Sequence, residues 1–138
     1  MIKLKTNYSK LATAFQEHTN GIDGSKTMKD IRLLMKVARK IRDELIAIEE
    51  ASSLKQKIFR EKNEKEKDQD KLRKAQEALQ KELNNAAVEP FEIELTKEEL
   101  QVFMDTLLGL KVENLKNNDA ASMTRVDEFL EDCEVALK

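Results

Sequence analysis

Residues that break regular structure are scarce. Three glycines, a single proline and no tryptophan in 138 residues leave few turn signals, so a sandwich or barrel of many short strands is excluded and a few long elements are favoured. Cys133 is the only cysteine, which rules out an internal disulfide and a multi-cysteine zinc site and suits a reducing compartment. Long apolar runs are missing too. The longest, residues 45–48, and others such as 107–108 fall far short of the ~20 residues that cross a bilayer, and no apolar stretch follows the N-terminal lysines. A cytoplasmic protein with no membrane partner is the expectation. Nor does the chain contain a Gly-rich phosphate loop, a Gly-x-Ser-x-Gly elbow or a His-Glu-x-x-His pair, so neither an enzyme nor a cofactor is expected.

What the chain does have is charge. Charged residues make up 38% and apolar residues 40%, against about 25% and 45–50% in an average globular domain. Much of the chain is therefore surface, a condition that elongated helices meet. Its length fits one domain, residues 1–138, with a modest core. The net charge of −2 conceals an asymmetry: residues 1–42 carry ten Lys/Arg against three Asp/Glu, whereas residues 89–138 carry five against thirteen. Internal pairing of the two ends, or a partner-facing surface on each, would account for it.

Two period-two segments read as strands, Ile2-Lys3-Leu4-Lys5-Thr6 and, after Pro90, Phe91-Glu92-Ile93-Glu94-Leu95. Pairing them sets Lys3 and Lys5 on one face with Glu92 and Glu94, a favourable cross-strand arrangement. A helix is expected at residues 8–18, ended by Asn20-Gly21. Thr27 followed by Asp30 then opens a run in which Ile31, Leu34, Ala38, Ile41, Leu45 and Ile48 recur at spacings of three and four. This helix extends through Leu54 and Ile58 until residues 60–71, which hold no apolar side chain. Leu72, Ala75, Leu79, Leu83 and Ala86 resume the pattern. The reading is mainly α (an α-dominated α+β chain): a long antiparallel helical hairpin protruding over residues 43–88 with a charged, solvated or partly disordered tip at 60–71, on a helical head made of 1–42 and 89–138 with a two-stranded sheet. Two further helices follow. Thr96-Lys-Glu-Glu99 is a capping box before Leu100, Phe103, Met104, Leu107 and Leu108, with a stop at Gly109; the last helix carries Met123, Val126, Phe129, Leu130, Cys133 and Leu137.

Few residues carry chemistry. His18, the only histidine, has no convergent ligands nearby and reads as a helix-end residue. Cys133 reads as a small buried hydrophobe, and Glu92 with Glu94 as partners for the strand lysines rather than a metal pair. The candidate partner-binding residues are Lys29, Arg32, Lys36, Arg39 and Lys40, a basic stripe away from the heptad face, together with Leu54, Ile58 and Phe59, apolar and beyond it. The stripe lacks interleaved aromatics and the whole chain is acidic, so nucleic acid is the lesser expectation and a protein partner the greater. A hairpin with one apolar seam also predicts a homo-oligomer, with a dimer favoured.

The lysine-rich opening strand, the short helix, the basic amphipathic run Ile31-Arg-Leu-Leu-Met-Lys-Val-Ala-Arg-Lys-Ile-Arg-Asp-Glu-Leu45 and the later Leu95-Thr-Lys-Glu-Glu-Leu100 resemble a group of uncharacterised small bacteriophage and prophage proteins. That resemblance implies action in the bacterial host cytoplasm by binding and occupying a partner. The forms expected are a stoichiometric inhibitor or modulator of a host or defence protein or, alternatively, a virion structural or assembly factor. It supplies no catalytic, cofactor or metal residues.

Overall fold

The computed structural model describes all 138 residues. Strand β1 (Ile2–Thr6) leads into helix α1 (Tyr8–His18) and a short 3-10 turn, Thr19–Gly21. Helix α2 (Met28–Asn63) and helix α3 (Gln69–Val88) form the hairpin, strand β2 (Phe91–Leu95) returns to the head, and helices α4 (Lys97–Leu108) and α5 (Ala120–Leu137) complete it. The fold is mainly α, with one small antiparallel sheet.

Each helix starts where a side chain accepts a first-turn N–H that the helix itself cannot satisfy. Asn7, Thr27, Asp68, Thr96 and Asp119 are the five caps. Only Thr96 with Glu99 closes the reciprocal box; Thr27 accepts from the Asp30 N–H at 3.2 Å. The strands pair as expected with the four charges on one face, and the structure sets them antiparallel with Lys3 opposite Glu94 and Lys5 opposite Glu92. No ion pair within 4.0 Å forms across it, so complementary charge acts here through solvent.

One core holds the head together. Leu4, Ile93 and Leu95 from the sheet meet Leu11 and Ala14 of α1, Leu34, Val37, Ile41 and Leu45 of α2, Leu100, Phe103, Met104 and Leu107 of α4, and Phe129 and Cys133 of α5. The Phe103 and Phe129 rings pack edge to face with centroids 5.8 Å apart, a favoured aromatic geometry. Gly21 is fixed by a close approach: a Cβ there would lie 2.2 Å from the Thr106 carbonyl oxygen. It therefore lets the turn pass against α4, beyond the helix-stop role its sequence position suggests.

Three sequence expectations are corrected. Helix α2 runs for 36 residues, about 54 Å at 1.5 Å per residue, and the tip shrinks to residues 64–68 because helix continues through 60–63 and resumes at Gln69. Its buried face includes Val37, while Ile31, Ala38 and Ile48 are only half-buried. In the head, α2 packs on α1 and α4, a broader contact than the narrow two-helix seam that the heptad frame assumes. On α4, Leu108 is exposed and Val102 buried.

Candidate interaction surfaces

The residues with chemical potential lie in the head, and each has a structural occupation. Glu17 is fully buried and uses both carboxylate oxygens: Oε2 accepts the Lys116 backbone N–H at 2.8 Å and Oε1 that of Asn117 at 3.1 Å. It pins the connector between α4 and α5 to α1. His18 beside it is buried against Phe15 and Phe103, with ring centroids 4.9 and 5.4 Å away. Its Nδ1–H donates to the Phe15 carbonyl, and burial, only partly opposed by that bond, lowers its pKa from the ordinary 6.5. Burial, with Asp132 and Glu134 adding to it, pushes the Cys133 thiol up to about 12, which keeps it protonated and unreactive. No group of three or more His, Cys, Asp and Glu is placed to hold a metal ion.

The basic stripe lies along the N-terminal half of α2. Lys29, Arg32, Lys36 and Arg39 are exposed and form no ion pair within 4.0 Å. Lys40 is a correction. Its ammonium lies 2.8 Å from buried Glu99 Oε1, the oxygen that also accepts the Thr96 N–H, so Lys40 belongs to an internal pair rather than a partner surface. Burial raises the Glu99 pKa, but the Lys40 and Thr96 donors outweigh that and hold it below its ordinary value. A second link between the basic and acidic ends joins Lys10 to Asp132 at 3.1 Å. The predicted internal pairing thus exists at two points and spares the outer stripe.

Beyond Leu45 the molecule changes character. From residue 46 to residue 92 no side chain is buried. The two helices meet along a half-buried seam, Ile48, Ser52, Lys55, Phe59 and Asn63 of α2 against Leu72, Ala75, Leu79, Leu83 and Ala86 of α3. Phe59 is the second correction, since it lies in this seam beside Leu79. Leu54 and Ile58 stay outside it, 56% and 52% exposed.

The two flanks of the arm differ. Gln56, Arg60, Arg73 and Gln76 edge a depression on one flank. On the other, two depressions that share Lys55 run from Ala47 and Ala51 near the base to Ile58, Ala75 and Ala78 farther out. The second flank is the more apolar of the two, with Glu44, Lys55, Lys62 and Glu82 along its edges. No helix is long and apolar enough to cross a membrane.

The chain matches no known protein family, no curated protein and no solved structure.

Proposed function

We propose that this chain is a non-enzymatic protein-binding module of the bacteriophage type, a stoichiometric inhibitor or modulator of a bacterial host protein. The observation that carries the reading is the arm: from residue 46 to residue 88 no side chain is buried, and Leu54 and Ile58 are exposed. Residues 46–63 extend α2 by about 27 Å past the last core residue. Extended helical surfaces with apolar anchors are a recurring means of docking into protein grooves. The free cations Arg32, Lys36 and Arg39 supply a second surface, suited to an acidic partner.

The test compares the tagged wild-type chain with Leu54→Glu/Ile58→Glu and with Arg32→Glu/Lys36→Glu/Arg39→Glu, each purified from phage-infected bacteria after circular dichroism has verified its helicity. One host protein in fixed stoichiometry, lost with at least one variant, is the expected result. Identical protein profiles from all three chains would overturn it, and capsid or tail proteins in place of a host protein would move the chain to an assembly role.

A further inference from the structure

We infer that the apolar flank of the arm is covered by the same flank of a second copy, with the two α2 helices antiparallel about a two-fold axis beside residues 52 and 53. This rests on the interaction reading and gives Leu54 and Ile58 to a second copy, which leaves exposed Arg32 and Arg39 as the surface for a host protein. Three features of the flank converge on that occupant.

The first is spacing. Ala47, Ala51, Leu54 and Ile58 follow one another at intervals of four, three and four residues, which sets them on one helix face. The interval series reads the same in both directions. Laid antiparallel on itself, the stripe brings Ile58 opposite Ala47 and Leu54 opposite Ala51. Each large side chain then faces a small one, at both ends, as close packing requires. Parallel alignment would instead face Ile58 with Ile58 and leave the alanines opposite each other.

Charge supplies the second feature. Residues 43–50 contain Asp43, Glu44, Glu49 and Glu50 and no base, whereas residues 55–62 contain Lys55, Lys57, Arg60 and Lys62 against the single acid Glu61. An antiparallel pair opposes the acidic base of one arm to the basic outer half of the other; a parallel pair would stack like charge on like. The same reversal that matches the apolar stripe therefore matches the charges, and an unrelated partner helix has no reason to satisfy both. Self-complementarity under a two-fold is what an isologous interface demands.

The third is the layer itself. Two helices share one seam, and that seam buries nothing fully. Ala75 and Ala78 of α3 border the same flank, leaving room for a close neighbour. Two arms packed flank to flank make a four-helix bundle with an interior, which a lone hairpin lacks. The polar flanks remain outward for another protein.

Light scattering on the purified full chain is expected to give about twice the 15.9 kDa chain mass, and Leu54→Glu/Ile58→Glu to give the single-chain mass with its helicity retained. Register is read separately. An Ala47→Cys chain and an Ile58→Cys chain, oxidised together, should cross-link to each other far better than either does alone; Cys133 is buried and does not compete. Reversing the base charges with Glu44→Lys/Glu50→Lys should weaken the dimer roughly tenfold, and adding Lys57→Glu/Lys62→Glu should restore it. A monomeric wild-type chain, a double-glutamate variant that stays dimeric, or single-cysteine chains that cross-link equally well alone would each overturn the proposal. A monomer that still carries a host protein out of cells removes only the dimer. A dimer that carries none removes only the partner reading.

Discussion

The head and the arm are built from similar helices with opposite economies of burial. In the head, α2 contributes Leu34, Val37, Ile41 and Leu45 to a core shared with five other elements; in the arm, the same helix continues for another 18 residues, to Asn63, without burying one side chain. Helical propensity alone does not sustain such an extension, because isolated helices of this length are marginal in water. Continuity with an anchored first half supplies the nucleus, and the seam with α3 supplies partial burial. The head is thus organised around its own interior, whereas the arm is organised around surface.

The sharpest way to break this comparison is to truncate one aromatic in each region. Phe103→Ala in the head should cost about 3–5 kcal/mol, because it leaves a cavity among Leu, Met and Phe side chains that cannot collapse around it. Phe59→Ala in the half-buried seam should cost under about 2 kcal/mol. Urea denaturation of the full chain measures both. Equal losses would mean that the arm has an interior of its own and that the division is wrong.

Glu17→Ala comes next. Two backbone N–H groups of the connector donate to this carboxylate, and hydrogen bonds to a charged acceptor are worth roughly 1.5–3 kcal/mol each. A loss of about 3 kcal/mol is expected, with faster proteolysis at residues 111–119 and no change in the arm. Retained protease resistance would show that the connector is held by other contacts.

How much of this was legible depended on the distance over which each signal acts. Period-two alternation and capping boxes are local, so the strands, the face their charges share and the starts of α2 at Thr27 and α4 at Thr96 were readable, whereas the Asp68 cap of α3 was lost in a run of charges. Glu17 was not: its partners lie about a hundred residues away, and nothing beside it marks it as buried. Val37 stood next to Ala38, and an apolar pair cannot say which member faces a core until the width of the contact is known. The arm's seam was obscured because Ser52, Lys55 and Asn63 occupy positions on which an apolar pattern would rely. Leu54 and Ile58 kept the pattern alive on the wrong face, and that misplacement is what singled them out as surface anchors.

Acid should separate the regions without mutation. His18 is the only histidine, and burial lowers its pKa from 6.5 in the folded head. Between the folded and unfolded values the unfolded chain binds more protons, so stability rises with pH across that window. The stabilising contribution is complete above pH 6.5 and is lost as pH falls below it towards the lowered value. Glu99 has the same sign but a lower window, below the ordinary 4.5. Chemical denaturation between pH 7.5 and 5 should therefore show a slope that His18→Gln flattens. A slope unchanged in that variant would place the titrating group elsewhere.

The smallest effect belongs to the arm's own ion pair. Lys55 and Glu82 approach to 3.2 Å across the hairpin, with side chains 39% and 58% exposed. Water competes for both groups and ordering the two long chains costs entropy, so an exposed pair of this kind is worth about 0–1 kcal/mol. Glu82→Gln should leave helicity unchanged by circular dichroism and shift the urea midpoint hardly at all. Were this substitution to unzip α3 from α2, the hairpin would be held by one electrostatic contact and not by its seam. The arm would then open with rising salt, and the apolar flank could not stay in the fixed register that antiparallel pairing with a second copy requires.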